Sequence, residues 1–453
     1  MPIDTKHPNY IARSEDWLDC RNSHDGQRAI KAAGERYLPR LKGQTDAEYN
    51  AYKGRALFYS ITAKTVSALQ GMSLSKAPEL KYPEKMKSFF EDKSGTQFYE
   101  LLSSAVVEVL LTGRYGALID RPADGGQPYV TVYPTENIIN WATDDEGQYT
   151  MVVLKEVYFE RDTSDKYVLI EKVRYRELWI ENGELHITVH TPQDPKNETF
   201  APGTVTTITN TGVAMKTIPF FCVNPVGVGI DPVKPPMMDI VDINLSHYRT
   251  SADLEHGRHF TGLPTPYIVG GASDSKMNIG STSAWIIPDP SAKVGFLEFT
   301  GTGLGSLEKA LSEKQSQLAS LSARLIDNST RGSEAAETVK LRYLSETASL
   351  VSVVRAIEAF LNLVYNTIAE MEGLGKNSVT VSLDKDFLAS KMSAADLTAW
   401  VNAYLAGGVT KEMLVHALKR GDALPPPGTD AGTIPDRPPL PPTQTSPSPP
   451  TKQ

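Results

Sequence analysis

Apolar residues recur at three- and four-residue steps from residue 25 to about residue 71: Ala29, Ile30, Ala33, Tyr37 and Leu41, then Leu57, Ile61, Val66 and Leu69. That period places them on one side of a helix, so the spacing predicts helix through this stretch, closed by Gly71 and Pro78. Leu101, Leu102, Ala105, Val109 and Leu110 repeat the pattern and predict a helix over 97–112, ending at Gly113 as a glycine C-cap. Beyond Gly113 the pattern changes to alternation and β-branched runs. Residues 115–119, 129–133, 150–159, 167–179, 184–190 and 218–223 read as strands punctuated by Asp-Gly, Asn-Gly and Pro, and predict a mostly antiparallel sheet.

A Pro/Gly-rich loop over 224–236 ends in Pro235 and Pro236, which suit the first turn of a helix because proline's missing N–H would be unpaired there anyway. The helix they introduce, 237–260, is on the order of 35 Å long. Short strands are predicted at 266–270, 284–288 and 294–299, then a second long helix at 304–327. After a polar break comes the longest helical pattern, 333–371, with Tyr343, Thr347, Leu350, Val354, Ile357, Leu361, Val364 and Ile368 forming a stripe for a core or a subunit contact. A strand at 379–383 and helices at 394–406 and 410–419 follow. From Leu424 onward 11 of the last 30 residues are proline, which predicts a disordered or polyproline-like tail. No internal repeat is evident.

With 453 residues, 40% apolar and 22% charged, the chain has enough apolar material for two to four structural units. A net charge of -8 argues against a broad basic face that grips nucleic acid, since such binding comes from neutralised phosphates. Two cysteines, Cys20 and Cys222, make neither a metal pattern nor a disulfide framework and fit a reducing compartment. The start, MPIDTKHPNY, lacks the basic-then-apolar pattern of a secretory signal. The most apolar long stretch, 349–371, carries Arg355, Glu358 and Glu370, which a membrane-spanning helix seldom tolerates, so no membrane association is expected.

Three motifs invite chemistry, and each has a simpler reading. Gly301-Thr302-Gly303-Leu304-Gly305 precedes a helix, where backbone N–H groups can cradle an anion, but it lacks the Gly-Lys-Ser/Thr of a nucleotide loop and reads as a loop-to-helix turn. His247, His256 and His259 share one helix with Asp253 and Glu255, without a His-Glu-x-x-His pattern; a polar helix surface is the ordinary explanation. Asp144, Asp145 and Glu146 are the carboxylates a metal-dependent nuclease would want, and also ordinary residues of a turn. No catalytic residue, metal or cofactor is predicted, and the chain is not expected to be an enzyme.

The order of parts in the second half is long helix, small β module, long helix, polar loop, very long helix, strand, helical end. It comes with Pro235-Pro236-Met237-Met238-Asp239-Ile240, Asn244-Leu245-Ser246-His247-Tyr248-Arg249, Ser251-Ala252-Asp253, Leu263-Pro264-Thr265-Pro266 and Glu337-Thr338. Upstream stand Thr112-Gly113-Arg114-Tyr115-Gly116, Ile119-Asp120-Arg121-Pro122 and Asn137-Ile138-Ile139-Asn140-Trp141. Over roughly residues 50–420 the chain resembles the portal proteins of tailed bacteriophages, head-to-tail connector rings.

The resemblance implies an α+β portal fold: N-terminal helices and α/β wing (1–230), stem helix 1 (231–260), clip (261–303), stem helix 2 (304–327), tunnel loop (328–333), long helix and wing return strand (334–392), helical crown (393–423) and Pro-rich tail (424–453). It also implies a homo-oligomeric ring of 12 subunits at one capsid vertex of the virion, assembled in the host cytoplasm, through which double-stranded DNA passes without sequence specificity. The partners implied are the large terminase, the head-tail adaptor, and the major capsid or scaffold protein. Asn328, Ser329, Thr330, Arg331, Gly332 and Ser333 would be the tunnel loop nearest DNA, a simple interhelical turn being the alternative. Trp285 and Asp289 would be clip contacts, although a buried Trp285 in the module's own core fits its neighbours Ile286 and Ile287 better.

Charges on the two stem helices nearly cancel, which suits a tube through which DNA slides, because each neutralised phosphate adds affinity and hence friction. Two other readings stay open: a metal-dependent nucleic-acid enzyme using Asp144 or Asp145, and a non-viral scaffold or adaptor whose 435–442 segment has Pro-x-x-P spacing.

Overall fold

The computed structural model describes residues 2–91, 96–122, 125–162, 164–194, 199–210, 213–263, 265–270, 290–297, 301–326, 336–385, 387 and 394–420. The chain divides into two units, Met1–Lys385 and Asp386–Gln453. In the first, the predicted helical stretch over 25–71 is several helices, and helix begins earlier: α1 (Pro8–Ile11), α2 (Ser14–Asp25), α3 (Gln27–Ala33), α4 (Asp46–Arg55) and α5 (Ile61–Ser73). Gly26, at φ +85°, turns the chain between α2 and α3 in a backbone state that favours glycine. Thr45 starts α4 with a capping box: its hydroxyl accepts from the Glu48 N–H while the Glu48 carboxylate accepts from the Thr45 N–H. Helix α2 lay outside the predicted stretch, yet it buries Trp17 and Cys20.

Strand β1 (Glu79–Lys81) and short α6 (Lys87–Phe90) lead into α7 (Thr96–Thr112), which starts one residue before the predicted 97–112 and ends with it. Gly113 closes α7 at φ +75°, donating its N–H to the Val109 carbonyl at 3.1 Å. The strands that follow are β2 (Tyr115–Asp120), β3 (Tyr129–Pro134), β4 (Ile138–Thr143), β5 (Tyr149–Arg161), β6 (Leu169–Glu181), β7 (Glu184–Asp194), β8 (Thr199–Pro202), β9 (Thr209–Asn210), β10 (Val213–Ala214) and β11 (Phe220–Val223).

They form two principal antiparallel sheets where one was predicted, ordered β11-β2-β3 and β4-β5-β6-β7-β8, with β9 and β10 as a small separate pair. All six residues of β2 are buried, so it reads as an apolar run and not as alternation. Gly116 on β2 is required by close approach: a Cβ there would lie 2.6 Å from the Phe220 ring and 2.9 Å from Ile138 Cδ1. Polar links tie the sheets together, Tyr133 donating to Glu156 at 2.7 Å and Arg176 to Asp120 at 3.0 Å.

Between α7 and β2 sits Arg114, fully buried. Its Nε donates to Thr135 Oγ1 at 3.0 Å, Nη1 to the Ile230 carbonyl at 3.0 Å, and Nη2 to the carbonyls of Thr135 and Ile138, both at 2.9 Å. The guanidinium lies 5.3 Å from the Trp17 ring and 4.8 Å from that of Trp141. A planar five-donor fork suits this position in a way a lysine would not.

From β11 the chain continues through α8 (Met238–Gly262), β12 (Thr265–Val269), β13 (Lys293–Leu297), α9 (Leu304–Ile326), α10 (Ala336–Met371) and β14 (Thr380–Ser382). The last two turns-rich thirds of α10 supply core: Val354, Ile357, Phe360, Leu361, Val364 and Ile368 are buried, and the helix packs on α7, β2 and β11. Among the described residues, 349–371 is the one helical segment long and apolar enough to cross a membrane, and half of it is buried inside this unit.

Asn362 and Asn366, one turn apart on α10, hydrogen-bond through their side-chain amides to the backbone of Val381 and Val379 at 2.8 to 3.0 Å, donating and accepting as a neighbouring strand would. Strand β14 then pairs antiparallel with β1, Leu80 opposite Val381. Helical and antiparallel β segments thus occupy separate stretches, an α+β arrangement.

The second unit holds α11 (Ala394–Leu405) and α12 (Lys411–Arg420), packed through Tyr404, Leu414 and Leu418 with Trp400 and Val409. The proline-rich tail predicted from Leu424 lies outside the described residues.

Candidate functional site

The element order singled out in the sequence places attention on α8, the β12–β13 ribbon, α9 and α10. Pro235 and Pro236 precede Met237, the N-cap of α8, and so lie just outside the first turn expected for them, the Pro235 carbonyl accepting the Met238 N–H at 3.1 Å. Most of α8 is not a free rod. Ile240, Val241, Asn244, Leu245, Tyr248, Ala252 and Leu254 are buried, against α2, α4 and α5, because the apolar residues occupy too wide an arc to face only one partner helix. The 231–260 segment therefore belongs largely to the core of the first unit.

Helix α9 runs antiparallel to α8, as the cross-contacts show. Arg258 donates to Glu308 at 2.8 Å while also holding Glu255 at 2.9 Å; Lys314 donates to the Thr250 hydroxyl and to the Ser246 carbonyl; Gln315 Nε2 lies 3.3 Å from His247 Nε2. Gly257 lets Leu304 approach, since a Cβ there would be 2.6 Å from Leu304 Cδ2. Unlike α8, α9 is largely exposed: Leu318 is its only buried residue among the described side chains. Exposed charges of both signs line the pair, with Asp239, Asp242, Arg249, Asp253 and Arg258 on α8 and Glu308, Lys309 and Glu313 on α9.

The ribbon between them pairs Thr265 through Val269 with Leu297 through Lys293. Gly295 makes room for the Tyr267 ring opposite it, and Tyr267, Val269, Val294, Phe296 and Leu297 are exposed. The third predicted strand at 284–288, with Trp285 and Asp289, lies outside the described residues. So do Asn328, Ser329, Thr330, Arg331, Gly332 and Ser333, in the connection from α9 to α10.

The motifs weighed for chemistry resolve into structure. Gly301, at φ +67°, accepts the Leu304 N–H at 3.0 Å, and Gly305 is already inside α9: a loop-to-helix turn. Asp144 Oδ1 accepts the N–H groups of Glu146 at 3.0 Å and Gln148 at 2.8 Å, so it holds the β4–β5 turn. Among the described residues no group of three or more His, Cys, Asp or Glu is placed to hold a metal.

The histidines depart from the expected polar helix surface. His247 is 1% exposed, edge-on to Tyr59 at 5.2 Å, and burial followed by the Lys314 charge lowers its pKa. His256 is half-buried, its Nδ1 3.1 Å from Arg55 Nη2 and its ring edge-on to Tyr52. Burial, then Arg55 and His259, lowers its pKa too. The sequence signal available for these contacts was the apolar stripe on α8, which continues through His247 at helical spacing. Cys20 and Cys222 are free and buried, their thiols pushed up to about 12 by burial, as inert core groups.

A family profile described as a domain of unknown function (DUF4055) matches residues 236–371, from the start of α8 to the end of α10. Among curated proteins, none matches the chain. Solved structures with similarity include a chain from the neck of an empty GTA particle computed with C6 symmetry, 12% identical at TM-score 0.38, covering 88% of this chain and 99% of that one. A chain from the virion of a native gene transfer agent (GTA) particle is 11% identical at TM-score 0.39, with the same coverage of 88% and 99%. A chain from the neck of a native GTA particle computed with C12 symmetry is 13% identical at TM-score 0.36, covering 81% and 90%. These TM-scores lie below 0.5, and the functional reading rests on the chain's own elements.

Proposed function

We propose that the chain is one subunit of a phage-type portal, a ring at a capsid vertex through which double-stranded DNA enters and leaves. The observation that carries this reading is the run from α8 to α10: an antiparallel helical pair with one helix anchored in the body and the other mostly exposed among its described side chains, a β ribbon between them, and a long helix returning to the core. Among the described side chains of α9 only Leu318 is fully buried, so a helix of this length has apolar surface left to pack, and helical stability comes mostly from packing an apolar face. Neighbouring copies arranged head to tail supply that packing, and a closed rotation of such contacts makes a tube. The mixed charges exposed on α8 and α9 suit DNA that slides, because a uniformly basic lining would hold phosphates.

In this reading the ribbon region is the clip, facing the large terminase and later the head-tail adaptor, with Trp285 and Asp289 as contacts. The 328–333 segment is the tunnel loop, and α11 and α12 are the crown. The remaining partners are the major capsid or scaffold protein, and the ring holds 12 subunits. No chemistry is assigned to the subunit; Asp144 already has a structural role in its turn.

Single-particle electron microscopy of the purified chain tests the proposal. A closed ring with a channel wide enough for a B-form duplex is expected, and a monomer or two-fold dimer that persists with scaffold protein present would overturn it. Within an assembled ring, Arg331→Ala is expected to leave closure intact while changing DNA packaging or retention.

A further inference from the structure

We propose that the contact between Arg55 and His256 is an acid-released latch, which clamps the end of α4 on α8 while the imidazole is neutral and lets go when the ring takes a second proton. The Arg55 Nη2 lies 3.1 Å from His256 Nδ1. A guanidinium has donors only, so Nδ1 is the accepting nitrogen and the single ring proton sits on Nε2. Protonation of Nδ1 turns the acceptor into a donor. The hydrogen bond is then lost and two cations are left facing each other.

The surroundings give neither partner an easy alternative. Among the described residues Arg55 is in no ion pair with a carboxylate, and its buried Nε has no hydrogen-bond partner. The carboxylates of this stretch are engaged: Asp253 accepts from the Tyr52 hydroxyl at 2.6 Å, while Glu255 and, on α9, Glu308 accept from Arg258 at 2.9 and 2.8 Å. His259, near one turn further along α8, becomes another cation in acid, and α9 brings Leu304 against the adjoining Gly257. Burial first, then Arg55 and His259, lower the His256 pKa, and Asp253 opposes them without reversing the direction.

Few other ties hold this segment on α8. The Tyr52 ring stands edge-on to His256 at 5.1 Å, the Leu57 N–H donates to Ser251 Oγ at 3.3 Å, and the Phe58 ring meets Tyr248 at 5.9 Å. An imidazolium also competes with Tyr52 for Asp253, so one proton weakens two polar ties at once. Because the folded pKa lies below 6.5, the released form binds the extra proton. The latch is complete above that pH and is lost as pH falls below it. A group that stays neutral when latched and titrates at 6.5 when released raises the released-to-latched ratio by at most about tenfold between pH 7.5 and 5.5.

Hydrogen exchange of the full chain, read by mass spectrometry at both pH values and corrected for the intrinsic pH dependence of exchange, tests the latch. Protection of α4 should fall about threefold to tenfold more than that of α7. His256→Asn places an amide oxygen about where Nδ1 stands and cannot titrate, so it should keep protection at pH 7.5 and cut the response below about twofold. Arg55→Met should expose α4 already at pH 7.5, and circular dichroism reports whether each variant folds. Wild-type α4 that follows α7, a threefold response that persists in His256→Asn, or α4 protected in Arg55→Met as in the wild type would overturn the proposal. The latch belongs to the single chain, so failure to form rings would count against the portal proposal alone.

Discussion

Replacing Arg114 by methionine keeps most of the volume and removes all the donors. Four hydrogen bonds are lost, to the Thr135 hydroxyl and to the carbonyls of Thr135, Ile138 and Ile230. At about 1.5 kcal/mol each, the low end for bonds made by a charged group, the loss is about 6 kcal/mol. Against it stands relief of the charge's burial. Desolvation brings the guanidinium pKa from 12.5 to about 10, which corresponds to about 3 kcal/mol. The net expectation is a destabilisation of about 3 kcal/mol.

Because the group stays protonated at pH 7 in either state, this difference should be flat across neutral pH. Urea unfolding followed by tryptophan emission is the assay, since Trp17 and Trp141 flank the guanidinium and report their own surroundings. Arg114→Lys should be about as damaging: one ammonium cannot reach acceptors spread over residues 135, 138 and 230. A loss under about 1 kcal/mol for methionine, or full retention of stability by lysine, would refute the argument that a fork of donors holds this junction.

Gly116→Val should cost at least about 1 to 3 kcal/mol by overpacking against Phe220 and Ile138, measured as a lower thermal midpoint; an unchanged midpoint would mean the sheets can separate freely there. Leu318→Ala should cost about 2 to 3 kcal/mol and loosen α9 selectively, read as faster amide exchange in α9 than in α7. The folded pKa of His247 lies below its unfolded value, so the unfolded chain binds the extra proton. Stability from that group is then full above the unfolded value of 6.5 and falls as pH drops below it. His247→Phe should flatten the decline in thermal midpoint between pH 7.5 and 5.5, and an unchanged slope would assign that decline to other groups.

Legibility followed the range of the interactions. Helices α7, α9 and α10 could be read because each carries its own apolar stripe, and β5 and β6 because alternation persists over 13 residues. Helix α2 was missed: Trp17 and Cys20 are its only buried apolar residues, too few for a period to emerge. Strand β4 stood among quoted motif residues without being read as a strand, since its register is irregular at Asn140. Pairing of β14 with β1 and the asparagine bonds on α10 are long-range facts with no local signature. A charged residue such as Arg114 or a histidine on a polar-looking helix suggests surface, and only the assembled neighbours show that each is interior. For the candidate site, the order of α8, ribbon, α9 and α10 was legible, whereas the burial of most of α8 was not read, although its apolar positions at helical spacing carry that signal.

The pairing of β1 with β14 also sets a schedule. At about 5 to 20 residues per second, the ribosome needs roughly 15 to 60 seconds to make the roughly 300 residues between those strands. Closing so long a loop costs about 5 kcal/mol of chain entropy before any contact rewards it. Throughout that interval β1 is a strand without its mate and the N-terminal body waits for a seam near its far end. A nascent chain stalled before Thr380 should accordingly be protease-sensitive around residues 79–81, and the first unit can close this seam only when its own translation is almost over.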